Sequence, residues 1–96
     1  MEYWCVNWLH DFPGDLVTIY SEIGDDGYET RKVHLYRDGR TVRADEQHES
    51  VEIGLSEVPV GDIAEVDLQP EFQASVVTRA MFEDAWKAAP WPVRGS

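Results

Sequence analysis

The sequence has a single cysteine, Cys5, and lacks the paired His and Cys spacings of metal sites. One cysteine excludes an intramolecular disulfide and fits a reducing compartment. The three histidines, at positions 10, 34 and 48, form no His-x3-His pair, and no CxxC motif is present. We therefore predict neither a metal site nor a cofactor.

Basic residues are scarce. Eight Lys and Arg stand against nineteen Asp and Glu, which gives a formal net charge of −11 in 96 residues. This balance disfavours nucleic acids and anionic membranes, because both are bound through cationic side chains. It favours fast association with a basic protein partner.

Long apolar runs are missing as well. No stretch approaches the ~18 apolar residues that a membrane span needs. The first eight residues lack the basic region and the apolar run of a signal peptide. We expect a cytoplasmic protein.

The chain does contain the apolar residues of one core, since 43% of it is hydrophobic and 11% aromatic. Alternating polar and apolar residues predict strands at 3–9, 16–23, 28–37 and 40–44, with a short fifth strand at 50–55. Asp62 and Glu65 resemble a capping box, which predicts one or two helical turns that bury Ile63 and Val66.

The clearest helix lies near the C-terminus. Thr78 is a suitable N-cap, and Pro90 ends the helix. We expect Glu83 and Lys87 to pair on the side opposite the core. The core side is a single apolar stripe of Phe82, Ala85, Trp86 and Ala89.

These elements predict an α+β fold, an antiparallel sheet of four or five strands with the C-terminal helix packed on one face. One domain covers residues 1–90, and residues 91–96 form a flexible tail. A single helix leaves the other sheet face partly open. An uncovered face or edge is compatible with a monomer and with a homodimer.

The Asp26-Gly27 step marks the first hairpin. A two-residue turn there would set Ile19 opposite His34 and break the apolar pattern. We predict a three-residue loop at 25–27, with Gly27 left-handed in a bulge. The opposed pairs are then Ile19–Val33 and Val17–Leu35.

The Asp38-Gly39 step marks the second hairpin, for which we predict a two-residue type I′ turn that pairs Arg37 with Arg40. This turn places four apolar residues on one face, in the opposed pairs Leu35–Val42 and Val33–Ala44.

Catalytic candidates have ordinary explanations. His10 and Asp11 are adjacent at a predicted strand end, where neighbouring side chains point to opposite faces. Cys5 lies among aromatic residues, where a free thiol behaves as a small apolar side chain. An enzyme would need several of its polar residues to converge in one cleft. The candidates are His10, Asp11, Glu22, Glu29 and Arg31. The alternation of side chains along the predicted strands does not require these residues to meet. We therefore predict no enzyme and no catalytic residue.

The acidic stretch is the most informative feature. Between Arg43 and Arg79 there is no Lys or Arg, while nine acids alternate with apolar residues. Clustered charge of one sign costs self-repulsion, so we predict a docking surface for a basic partner. A surface that serves only solubility is the alternative. The predicted partner-binding residues are Asp45, Glu46, Glu49, Glu52, Glu57, Asp62 and Glu65.

Several motifs span nearly the whole chain. They are the N-terminal YWCVNWLHDFP, YSEIGDDGYETRKV at 20–33, RDGR at 37–40, EVP at 57–59, and PEF followed by FEDAW. Together they resemble a family of small bacterial proteins known as a domain of unknown function, which assigns no reaction. Proteins of this type are similar to the small acidic immunity proteins that accompany bacterial polymorphic toxins. That resemblance implies a protein that binds and blocks a cognate toxin.

A small-ligand or regulatory module is the second hypothesis. Five of the eight basic residues lie between Arg31 and Arg43, and clustered arginines can clamp a phosphate or a carboxylate. A solvated, salt-bridged hairpin is their ordinary explanation. The residues of this alternative site, for an anion or a nucleotide on the open sheet face, are Tyr20, Glu22, Arg31, His34 and Tyr36.

Overall fold

A computed structural model describes residues 1–8, 16–45, 47, 53–55, 61 and 63–91. Its described part is a five-stranded antiparallel sheet with two helices, in the strand order β4-β3-β2-β1-β5. The predicted α+β architecture is confirmed. The elements are β1 (Glu2–Trp8), β2 (Leu16–Ile23), β3 (Glu29–Tyr36), β4 (Thr41–Asp45), α1 (Ile63–Asp67), β5 (Phe72–Val76) and α2 (Arg79–Ala88).

The fifth strand is not the predicted one. β5 pairs with β1 at the edge of the sheet, whereas the described residues Ile53–Leu55 have no regular secondary structure. Residues 50–52 of the predicted strand lie outside the described part. The alternation of Phe72, Ala74 and Val76 with Gln73 and Ser75 was the available signal for β5.

Both faces of the sheet are covered. We call the side that α2 packs on the helix face and the opposite side the far face. On the helix face the ring of the fully buried Phe82 lies 5.4 Å from that of Tyr3. On the far face Ile53 is 2% exposed and packs with Val42 and Ala44.

The first hairpin has the predicted loop and an unexpected register. The amide of Gly24 donates to the Tyr28 carbonyl at 2.9 Å, and Gly27 has φ 86°, as a three-residue loop requires. Beyond the loop, Ile23 opposes Glu29 but Glu22 opposes Arg31, so Thr30 is an extra residue. This irregularity sets Ile19 opposite His34. The predicted Ile19–Val33 and Val17–Leu35 pairs are wrong.

The second hairpin has a three-residue loop and not the predicted two-residue turn. The Tyr36 amide donates to the Arg40 carbonyl at 2.8 Å, and Gly39 has φ 90°. The Asp38 carboxylate accepts from the Arg40 amide at 2.9 Å, which stabilises the longer loop. The prediction that four apolar residues share a face is therefore wrong. The observed pairs are His34–Val42 and Val33–Arg43, so Val33 and Leu35 lie on the helix face and Val42 and Ala44 on the far face.

The helices follow the sequence closely. Thr78 is the N-cap of α2 and its hydroxyl accepts from the Met81 amide at 3.2 Å, as predicted. The predicted stripe faces the sheet, with Phe82 and Ala89 buried. Glu83 is not paired as predicted with Lys87, because its carboxylate binds Arg31. The predicted turn before β5 is α1, and its Ile63 and Val66 are half-buried.

Groups from the same chain cap both sheet edges. On β4, the Arg43 amide donates to the Pro90 carbonyl at 3.0 Å. On β5, the Ala74 amide donates to the Asp67 carboxylate at 3.0 Å. Such caps oppose edge-to-edge association. Trp91, in the tail predicted to be flexible, packs its ring edge-on against Trp86 at 5.5 Å; residues 92–96 lie outside the described part.

Neither described helix has the length or the apolar content to cross a bilayer.

Candidate functional site: two polar networks on one hairpin

The β2–β3 hairpin buries polar networks on both sheet faces. On the helix face Arg31 binds Glu22 with two hydrogen bonds, from Nε to Oε1 at 2.9 Å and from Nη2 to Oε2 at 2.6 Å. The same Nη2 binds the Glu83 carboxylate on α2. The hydroxyl of Thr30, the extra residue of the hairpin, donates to Glu22 Oε1 at 2.6 Å. The network therefore ties the hairpin to the helix.

The electrostatics of this network favour the charged forms. Glu22 is only 5% exposed, yet the Arg31 hydrogen bonds, helped by Thr30, hold the pKa of its carboxyl at about 2 against the opposing effect of burial. The two carboxylates raise the pKa of Arg31. Burial and a hydrogen bond to Glu22 raise the pKa of Tyr3. Glu22 and Arg31 are consequently a fixed ion pair at neutral pH.

Aromatic rings enclose the same guanidinium. Its carbon lies 4.9 Å from the centroid of the Phe82 ring and 5.0 Å from that of Trp86. Beside it is an open cleft of about 780 Å³, lined by Met1, Tyr3, Glu22, Arg31, Arg79 and Glu83. Because two carboxylates already bind Arg31, the cleft does not present it as a vacant anion clamp.

The far face carries the second network. Lys32 Nζ lies 2.9 Å from Glu29 Oε1, and the Ser21 hydroxyl donates to Glu29 Oε2 at 3.0 Å. Ser21 and Glu29 are both buried. Lys32 Nζ also donates to the Gly54 carbonyl at 3.2 Å. This network therefore fixes the Ile53–Leu55 segment onto the sheet.

The structure divides the predicted ligand face between the two sides of the sheet. Tyr20, Glu22 and Arg31 lie on the helix face, while His34 and Tyr36 lie on the far face. Nor are they as exposed as predicted, because Tyr20 and Tyr36 are half-buried and His34 is buried. The shifted register and the cover over the far face account for both differences.

The residues considered for catalysis do not converge either. Glu29 lies on the face opposite Glu22 and Arg31, and His10 and Asp11 are outside the described part. Burial raises the pKa of the Cys5 thiol, which makes it a poorer nucleophile. Among the described ranges, no group of three or more His, Cys, Asp and Glu side chains is placed to hold a metal ion.

Two of the predicted partner-binding residues of the acidic stretch can be placed. Asp45 is half-buried at the end of β4, and its carboxylate accepts from the Gln47 amide at 2.9 Å. Glu65 is exposed on α1. The remaining predicted partner-binding residues, Glu46, Glu49, Glu52, Glu57 and Asp62, lie outside the described residues.

Sequence reasoning missed several members of these networks. Thr30 and Ser21 carry no signal, because their roles depend on the register. Arg43 was assigned to a solvated hairpin, yet its guanidinium carbon lies 4.8 Å from the Trp86 ring and 4.2 Å from the Trp91 ring. Arg43 Nη1 also donates to the Trp86 carbonyl at 3.1 Å. The two tryptophans near the C-terminus, Trp86 and Trp91, were the available signal.

Comparison with known proteins supports the expected membership of a domain-of-unknown-function family. No curated protein and no solved structure matches this chain. The family described as a domain of unknown function, DUF6881, matches residues 2–90. The residues of both networks lie within that range, and the chain belongs to this family.

Proposed function

We propose that this protein is an acidic protein-binding module of the immunity type. It acts in the bacterial cytoplasm by occluding a basic toxin or another basic protein, and it catalyses no reaction of its own. One observation carries the proposal. The cations held inside the fold are matched in number by the carboxylates of the same networks.

Three cations are held inside the fold. Arg31 and Lys32 bind carboxylates, and Arg43 is enclosed by two tryptophans. Three carboxylates, those of Glu22, Glu29 and Glu83, accompany them. Removing three of each from eight basic and nineteen acidic residues leaves five against sixteen. The six residues named here therefore add nothing to the net charge, and the −11 is carried by the rest of the chain.

This division supports binding over catalysis. The polar groups of the hairpin bind one another and fasten α2 and the Ile53–Leu55 segment, so their arrangement already has a structural use. The unbalanced acids generate a long-range negative potential, which accelerates the encounter with a basic protein and disfavours acidic ones. An occluding protein requires those two properties and no reactive group.

Affinity capture from the native host tests the proposal. The tagged protein is used as bait at low and at high salt, and the eluted proteins are identified by mass spectrometry. We expect one stoichiometric basic protein that is released by salt. The absence of any protein partner at either salt would overturn the proposal and direct attention to ligands of the open cleft beside Arg31.

Two charge-reversed baits of equal net charge sharpen the test. Glu49→Lys with Glu52→Lys removes acids from the predicted docking stretch. Asp25→Lys with Asp84→Lys removes two exposed acids from elsewhere. We expect the first pair to slow association with the captured partner about tenfold at low salt and the second pair to slow it much less. Equal effects would mean that net charge alone, and no particular surface, attracts the partner.

A further inference from the structure

The corner between α1 and β5 presents an apolar side chain in a fixed position. Leu68 is 83% exposed, the largest value among the exposed large hydrophobic residues of the described part. Its amide donates to the Ala64 carbonyl at 3.2 Å, and the next amide, of Gln69, donates to the Val66 carbonyl at 3.1 Å. The Phe72 amide then donates to the Gln69 carbonyl at 3.0 Å. Leu68 is therefore exposed by an ordered turn.

Aromatic residues lie at the same corner. Trp8, 38% exposed, opposes Phe72 across the β1–β5 ladder, and their ring centroids are 6.3 Å apart. Acidic residues accompany them, since Glu65 on α1 and Glu71 in the turn are both exposed. We call Trp8, Glu65, Leu68, Glu71 and Phe72 the α1–β5 corner.

We propose that the α1–β5 corner is the docking surface for the basic partner, with Leu68 as its apolar anchor. This inference rests on the proposed function. An exposed apolar side chain in a corner that also carries aromatic rings and exposed carboxylates is the arrangement expected of a binding hot spot with a charged rim. The carboxylates select a cationic protein surface, because an acidic or neutral surface would leave them desolvated and unpaired.

The internal bonds of the corner support this assignment. Asp67, the remaining acid of α1, is used by the fold, since its carboxylate accepts from the Ala74 amide. That bond joins α1 to β5 and helps to fix the backbone at Leu68, which lies between Glu65 and Glu71 in the sequence. A preorganised backbone loses little freedom on binding, which favours affinity.

Site-specific photo-crosslinking in the native host tests the docking surface. A benzophenone amino acid replaces Leu68 in one version of the full-length protein and Met81 in a control version. Met81 is also an exposed apolar residue, at 51%, but it lies on α2. We expect a crosslink to one basic protein from position 68 and none to that protein from position 81.

Purified components then distinguish anchoring from proximity. With the crosslinked protein as the binding partner, we expect Leu68→Ala to increase the dissociation rate about tenfold and Met81→Ala to leave it unchanged. Glu71→Lys should lower the association rate at low salt. Leu68→Ala and Met81→Ala should both leave the urea midpoint of unfolding unchanged within error. A loss of folding would then not account for the faster dissociation.

The possible failures are separable. A salt-released basic partner that crosslinks equally from both positions, or from neither, overturns the docking surface and leaves the proposed function standing. A crosslink from position 68 to a second copy of this chain assigns the corner to self-association and overturns the inference. If affinity capture yields no partner and position 68 gives no crosslink, both proposals fall together.

Discussion

The two faces of the sheet bury charged pairs from the same hairpin, but they use them differently. On the helix face Arg31 joins two carboxylates, one of which belongs to α2. On the far face Lys32 joins one carboxylate and a backbone carbonyl of the Ile53–Leu55 segment. The bidentate guanidinium suits two carboxylates, whereas the lysine ammonium serves as a point donor. Each cation therefore fastens a different kind of element.

The comparison also explains why one short motif contains so many charged residues. Adjacent side chains of a strand point to opposite faces. Glu22 and Arg31 therefore serve α2, while their neighbours Ser21 and Lys32 serve the far face. The charged residues of this motif resemble those of a solvated hairpin in the sequence. In the structure, Glu22, Glu29, Arg31 and Lys32 instead form two networks inside the fold.

The largest expected effect comes from removing Arg31. Arg31→Met leaves the buried Glu22 and the half-buried Glu83 without their cation, and we expect a loss of about 3–5 kcal/mol in the free energy of unfolding. Urea denaturation measures it. Arg79→Met, which removes an exposed arginine, should cost less than about 1 kcal/mol. Adding Glu22→Gln to Arg31→Met should recover part of the loss, and additive effects would contradict the coupling.

The helix-face network should also make stability depend on pH. The pKa of Glu22 falls from 4.5 in the unfolded chain to about 2 in the folded protein. The stabilisation is therefore complete above pH 4.5 and is lost as the pH falls from 4.5 to 2, by up to about 3 kcal/mol. We expect the stability difference between wild type and Glu22→Gln to shrink over that range. Parallel stability curves across it would contradict the ion pair.

Removing Lys32 should have a smaller effect, because it removes one ion pair to Glu29 and one hydrogen bond to the Gly54 carbonyl, while Glu29 keeps its hydrogen bond from Ser21. For Lys32→Met we expect a loss of about 2 kcal/mol. Hydrogen exchange should accelerate at Ile53–Leu55 while α2 remains protected. Lys87→Met, at an exposed helical position, is the matched control and should change neither measurement. Faster exchange in α2 would show that Lys32 supports the whole fold and not one segment.

The sequence predicts elements better than it predicts faces. The bounds of β2 and the Thr78 cap of α2 were predicted correctly because local patterns determine them. The faces of β3 and β4 were not, because they depend on one extra residue at Thr30 and one in the Gly39 loop. A shift of a single residue moves every side chain of a strand to the other face.

The candidate site follows the same rule. The Glu22–Arg31 pairing was within reach of the motif, since a salt-bridged hairpin was one interpretation of the basic residues that begin at Arg31. Glu83 was assigned to Lys87 because neighbours on a helix are visible in sequence. Its actual partner, Arg31, is 52 residues away along the chain. Contacts of that kind become visible only when the packing of the helix on the sheet is known.

The smallest expected effect tests the loop that sets the faces of β4. Gly39 has φ 90°, and an added Cβ would meet no atom within 4 Å. Gly39→Ala should therefore cost only the backbone strain of a left-handed alanine, about 1–2 kcal/mol. Gly39→Asn should cost less, because asparagine tolerates this region. Equal costs for the two substitutions would contradict backbone strain as their cause. A negligible cost for both would mean that the fold does not hold residue 39 in the left-handed region.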